Sequence, residues 1–173
     1  IAAELPTRRN EAWKYSDLRN AIGDAAPVVR QGRDIIERLA PGTQRASIPA
    51  GEARLVVERM TDDQHLDARA FDFELEAGAS LTRVVIQTGA AIPLSIARGR
   101  LEADAKFTQY VLALGGKLAR LETHVEVAGE GAEVTLNGAY LVASGRHADL
   151  TSVISHGAPN AITRQLIKGV ARA

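Results

Sequence analysis

The sequence predicts a mainly β fold, a parallel β-helix with a coil of about 26 residues, preceded by a short N-terminal helical segment. Three observations predict it. From Ala53 onward, short runs alternate apolar and polar residues with period two, and Gly or Gly-Ala clusters separate them. Those runs recur at a fixed interval. Aromatic residues are scarce, at 4%, while Ala, Val, Leu, Ile and Gly abound, which suits closely stacked strands better than a helical bundle.

Residues 1–50 read as a helical segment and linker. Ala3 to Ile22 is the helix: Pro6 and Thr7 give a stop and an N-cap, and Glu11 falls in the first turn, near the positive end of the dipole. Ala12, Tyr15, Leu18 and Ile22 recur at three- and four-residue spacing and form one apolar stripe. Ser16-Asp17 offers a cap for a second short turn. Trp13, the sole tryptophan, is expected to dock this helix on the domain; the alternative is an anchor on a partner protein. Pro27, Gly32, Pro41, Gly42 and Pro49 then punctuate a linker with one helical turn at Asp34–Leu39.

Residues 51–173 are expected to form the β-helix, incomplete at its C-terminal end. Leu55-Val57, Phe71-Phe73-Leu75, Leu81 to Ile86, Leu121 to Val127 and Val134-Leu136 alternate as strands. Ala53-Arg54-Leu55, Ala79-Ser80-Leu81, Ala105-Lys106-Phe107 and Ala132-Glu133-Val134 share the form small, polar, large-apolar, at spacings of 26, 26 and 27 residues. A turn residue or acidic pair precedes each: Gly51-Glu52, Ala77-Gly78, Ala103-Asp104 and Glu130-Gly131. Leu75, Leu101 and Val127 close the strands before three of them. One further step of 26 lands on Ala158, where Pro159-Asn160 follows and the pattern departs. A unit of this size cannot bury its apolar face alone, so neighbours must stack. Propeller blades need repeats of about 40–45 residues. Leucine-rich repeats need an asparagine ladder, and the left-handed acyltransferase type needs a six-residue period. A β-sandwich with coincidental spacing is the remaining alternative. Stacking predicts that Leu81, Phe107 and Val134 share one column.

Composition bounds the function. Lys plus Arg and Asp plus Glu both total 21, and the basic residues are dispersed, so neither a nucleic-acid binder nor a basic membrane-surface patch is expected. The longest apolar runs, such as Val111–Leu114, are far too short to span a bilayer. No leader with an apolar run and cleavage site opens the sequence, and a soluble cytoplasmic protein is expected. The sequence opens on Ile1 rather than Met and stops at Ala173 without a terminal element, as part of something longer would. With no cysteine, it offers no disulfide, thiolate nucleophile or thiolate metal ligand.

Two stretches go further. Leu5-Pro6-Thr7-Arg8-Arg9-Asn10-Glu11-Ala12-Trp13-Lys14-Tyr15-Ser16-Asp17-Leu18 stands near the start. Near the end, Gly129-Glu130-Gly131-Ala132 leads into Gly138-Ala139-Tyr140-Leu141 and Arg146-His147-Ala148-Asp149. His156-Gly157-Ala158-Pro159-Asn160 and Arg164-Gln165-Leu166-Ile167-Lys168-Gly169-Val170 follow. The later succession resembles the core of the SufB/SufD family of the SUF iron–sulfur cluster assembly system, and the front motif is similar to that of its SufD branch. Pro27 to Gly116 matches in general character only. The resemblance implies a right-handed β-helix that pairs with SufB through strand edges, or with itself where SufB is absent. It also implies that a C-terminal region not included here holds a copy of the ATPase SufC. The iron–sulfur cluster would be assembled by the wider complex, with no cofactor bound by this segment. The family's interface residues lie beyond Ala173, so no catalytic or cluster-ligating residue is carried over.

The remaining chemistry is thin. Among His65, His124, His147 and His156 none lies in a metal-binding helical pattern. His147 and Asp149, two apart on a strand, face the same way and read as a hydrogen-bonded pair, with metal binding the alternative. His156 precedes a turn and reads as structural. Ser144-Gly145 lacks the glycines of a nucleophile elbow, and Gly115-Gly116-Lys117, followed by Leu118, reads as a turn rather than a phosphate loop. Many parallel β-helices degrade polysaccharides with acidic pairs, so Asp62-Asp63 and Glu102 with Asp104 carry the alternative of a carbohydrate-active hydrolase or lyase. Arg164, Gln165 and Lys168 form a polar cluster that reads as a solvated strand face. No catalytic or metal site is expected, and the leading reading is a non-catalytic scaffold subunit of a SufB–SufC–SufD complex.

Overall fold

The computed structural model describes residues 5–143 and 145–172. Alternating side chains build strands that place one row inside and one outside. Ten form: β1 (Thr43–Ile48), β2 (Ala53–Met60), β3 (Leu66–Leu75), β4 (Ser80–Gln87), β5 (Ile92–Leu101), β6 (Lys106–Ala113), β7 (Ala119–Val127), β8 (Glu133–Val142), β9 (Ala148–His156) and β10 (Ile162–Ala171). Odd-numbered strands make one five-stranded sheet in the order β1-β3-β5-β7-β9, and even-numbered strands make the other, β2-β4-β6-β8-β10. All neighbouring strands are parallel. The chain is thus a β-solenoid of about five turns, with its core between the sheets. Parallel pairing begins at Thr43, so β1 lies in the stretch expected as linker; being an edge strand, it buries only Ile48 and lacks a clean alternation.

The repeat is real, and its phase is set at one corner. Leu81 lies opposite Phe107, and Phe107 opposite Val134, all fully buried in the expected column. Ile48, Leu75, Leu101 and Val127 form a second buried column at the ends of the odd strands. Between the columns, Gly51, Gly78, Asp104, Gly131 and Asn160 all have positive φ, from 56° to 72°. That left-handed corner admits Gly, Asn or Asp at low cost, which explains the turn residues seen in the sequence. It also corrects the repeat at both ends. Ala53 lies opposite Ser80 rather than Ala79, so the first step is one residue longer than expected and Leu55 faces outward, 64% exposed. The last step runs through Asn160 to Ile162, which lies opposite Glu133, not through Ala158. β8 runs two residues past Tyr140, the partner of the last residue of β6, and this delays the fifth coil.

The expected helix from Ala3 to Ile22 does not form as one piece; Ala3 itself lies outside the described residues. A short 3₁₀ turn and a fresh cap at Asp17 divide it. Asn10 precedes a single 3₁₀ turn, Glu11–Trp13, while Asp17 caps α1 (Leu18–Ile22) by accepting from the Asn20 backbone N–H at 2.9 Å. Asp34 caps α2 (Ile35–Leu39) in the same way, at 2.9 Å from the Glu37 N–H, where a turn was expected. The stripe is also different: Tyr15 is 74% exposed, and Trp13, Leu18 and Ala21 are the buried members. They pack with Ile36 and Leu39 onto Ala68, Ala70, Leu94 and Ile96, the outer face of the odd sheet. That sheet is therefore covered on both faces. This accounts for the unbroken burial of Ile92–Ala97 in β5, a pattern typical of parallel strands packed on both sides.

Candidate interaction surfaces

The two sequence motifs, 131 residues apart, meet in space. Ser16 of the front motif, fully buried, donates to Asp149 Oδ2 at 2.6 Å, and its Oγ lies 3.1 Å from His147 Nε2. His147 and Asp149 do face the same way, as their spacing requires. The hydroxyl has one proton, and it goes to the carboxylate. His147 Nε2 must then donate to Ser16, the reverse of what nucleophile activation needs. The trio is a clasp between the N-terminal lead and β9.

Arg120, on β7, completes it. Its guanidinium lies 4.2 Å from the Trp13 ring centroid, donates to the Ala12 carbonyl at 2.6 Å and to Glu122 Oε1 at 2.8 Å, and pairs with Asp149. A planar fork over an aromatic face is what arginine, and not lysine, supplies. Glu122 also meets His124 Nε2 at 3.2 Å. Burial alone would raise the Glu122 pKa, but the His124 and Arg120 hydrogen bonds hold it below the usual carboxylate range. Beside this clasp a second network ties α2 to the sheet: Arg98 pairs with Asp34, with Glu37 at 3.1 Å and with Asp72 at 2.9 Å. The Arg33 side chain, 3.0 Å away, drives the Glu37 pKa well below its ordinary value.

Inside the solenoid runs a polar ladder that sequence reading missed. Arg83 has no exposed surface; it donates to Glu58 Oε1, Gln109 Oε1 and Ser95 Oγ, each at 2.7 Å. Ser95 in turn donates to Glu58 Oε2 at 3.2 Å, and Gln109 Nε2 to Thr123 Oγ1 at 2.9 Å. The ladder joins β2, β4, β5, β6 and β7. A signal existed: Arg83 and Gln109 sit in register at inward parity, among Leu81, Val85, Phe107, Val111 and Ala113, with Gln87 the other polar residue of that row. In the fifth coil two further polar pairs point inward, Ser152 3.2 Å from Gln165 and His156 2.9 Å from Thr163.

The other candidates take structural places. Asp62 Oδ1 accepts from the Gln64 and His65 N–H groups at 2.7 and 2.9 Å, and Asp63 from the Ala90 N–H at 2.7 Å, so both close a corner. Exposed His65 leans on Asp62 at 3.3 Å. Glu102 pairs with Arg100 at 3.1 Å, and Asp104 occupies the left-handed corner. Gly115 turns with φ of 67°, Gly116 bridges to His147, and Lys117 donates its backbone N–H to Ala90, as a turn should. Ser144 lies outside the described residues. Arg164, Gln165 and Lys168 do not cluster: alternation sends Gln165 inward while Arg164 pairs with Glu133 at 3.0 Å on the outer face. Among the described residues no group of three His, Asp or Glu could hold a metal ion, and no helix is long and apolar enough to cross a membrane.

Backbone groups on the free sides of β9 and β10 have no strand partner among the described residues. The even sheet's outer face is likewise uncovered. The family model for "SUF system FeS cluster assembly, SufBD core domain" matches residues 47–173. An iron–sulfur cluster assembly SufBD family protein of Mycobacterium leprae is 27% identical over 182 residues, covering 95% of this chain and 45% of its own length. SufBD family proteins of Mycobacterium bovis and Mycobacterium tuberculosis are each 28% identical over 121 residues, 69% of this chain and 30% of theirs. The chain thus spans less than half the length of these relatives. No solved structure matches it. With that model matched over most of its length and a parallel β-solenoid in the same region, the chain belongs to the SufB/SufD family of SUF iron–sulfur cluster assembly proteins.

Proposed function

We propose that this chain is the solenoid part of a non-catalytic, cytoplasmic scaffold subunit of the SufD kind, acting in a SufB–SufC–SufD complex. The observation that carries the proposal is where the chemistry lies. The acids, histidines and Ser16 singled out above are engaged in corners, clasps and ion pairs, while the sheets are open at their edges among the described residues. Such an edge is completed by a further strand, of the same chain or of another. SufB is the proposed partner at a strand edge of the full-length solenoid, and a second copy takes its place when SufB is absent. ATP hydrolysis belongs to SufC, and iron and sulfide are cargo of the assembled complex rather than ligands of this cysteine-free segment.

The test is co-expression of the full-length protein with SufB and SufC, followed by size-exclusion chromatography. One peak containing all three is expected. Failure to co-purify with both refutes the assignment, and hydrolysis of a polysaccharide by the purified protein would favour the carbohydrate-active alternative.

A further inference from the structure

Outward-facing residues of the even sheet are unusually apolar. Of the twelve large apolar side chains exposed among the described residues, eight lie on this one face, including Val57, Tyr110, Leu112, Leu141, Leu166 and Val170. A parallel sheet is ordinarily covered on both sides. The odd sheet has the N-terminal lead on its outer face; this one has nothing among the described residues.

Register shows how the face is organised. Val57, Val84, Tyr110, Asn137 and Leu166 form one column, and Arg59, Ile86, Leu112, Ala139 and Lys168 the next. The columns are ridges along the solenoid axis, about 7 Å apart and about 19 Å long. The second begins and ends on a cation. Neither Arg59 nor Lys168 makes an ion pair among the described residues, whereas Glu133, the face's only acid, is shared by Lys106 at 3.3 Å and Arg164 at 3.0 Å. On a chain of zero formal charge, this face is cationic and apolar together.

We infer that the even sheet's outer face docks an amphipathic helix of a partner protein, with its apolar ridge in the groove between the two columns and acidic residues facing Arg59 and Lys168. A helix spanning about 19 Å needs about 13 residues between those acids. A second copy of this chain is disfavoured by the same charges. Either two-fold arrangement of two such faces along the column sets Arg59 or Lys168 against another cation.

The probe is a synthetic amphipathic helix of about 20 residues with a leucine face and two Glu clusters about 13 residues apart. A twin with Lys for Glu is the control. Titration against the full chain, followed by fluorescence anisotropy, is expected to show the Glu helix binding at least about tenfold tighter than the Lys helix, with the preference shrinking in salt. Leu112→Asp should abolish binding with the circular dichroism unchanged. If that variant does not fold, Lys168→Glu on the exposed edge strand is read instead, and it should narrow the preference for the Glu helix. Equal binding of the two helices overturns the inference, as does undiminished binding by a folded Leu112→Asp. Self-association of the wild-type chain that Leu112→Asp removes would name a second copy as occupant and also overturn it.

Discussion

Replacing Arg83 by Met tests whether the interior ladder is a dry, closed network. The substitution keeps much of the volume and removes the donors that meet Glu58, Gln109 and Ser95. Glu58, 5% exposed, is then a buried carboxylate with Ser95 as its one hydrogen-bond partner. Breaking a buried ion pair from one side costs about 3–5 kcal/mol, far more than a neutral hydrogen bond. For a chain of this length that corresponds to a fall of roughly 8–14 °C in Tm. Glu58→Met in the same chain should return most of the loss, because a matched apolar pair is often neutral or better. Urea unfolding followed by circular dichroism gives all four corners of the cycle. A loss below about 1 kcal/mol for Arg83→Met, or no recovery in the double variant, would show that water reaches Glu58 and that the ladder is not a closed network.

The clasp predicts that Arg120→Met costs about 3 kcal/mol and shifts the emission of Trp13, the sole tryptophan, to the red; unchanged emission would refute the stacking. Acid should loosen the same lead. The carboxyls of Glu37 and Glu122 sit below their ordinary value of 4.5 in the fold, so their contribution is complete above that pH and disappears as pH falls through the lower folded values. A Trp13 emission titration from pH 7 downward reads it, and a loss of the docked signal already between pH 7 and 5 would contradict the assignment. Gly99→Ala would place a Cβ 2.0 Å from the Phe73 ring, costing about 1–3 kcal/mol as overpacking. Phe73→Leu should relieve it, and thermal melts of the single and double variants check both.

The solenoid was legible because its corner repeats. A left-handed residue followed by a small buried one marks each inner coil, and Ala79, Ala105 and Ala132 are fully buried there. Spacing alone mis-phased the end coils. At the first, Glu52 takes the small residue's place at an edge with no earlier coil to crowd it. At the last, two extra residues at the end of β8 shift the register. β5 escaped notice because cover on both faces erases alternation. The lead was mis-read as one helix because stripe spacing outweighed the turn that Asn10 closes with the Thr7 N–H and the cap at Asp17. His147 with Asp149 was visible as a pair, but Ser16, which they hold, was not. Contacts across 131 residues leave no local pattern, and the ladder showed only as wrong-parity polar residues.

The clasp also bears on how the chain folds. In a bare solenoid each coil touches only its neighbours, so folding can start anywhere and unfolding can fray from either end. Here one early segment is stitched to β3 and β5 through α2 and to β7 and β9 through Trp13 and Ser16. Its docking site does not exist until the fourth and fifth coils have formed, so a segment made before the solenoid settles after it. Once settled, they act as a splint: no coil from the second to the fifth can open without disturbing the same short segment. A stack that would otherwise melt in stages is thereby made to melt as one.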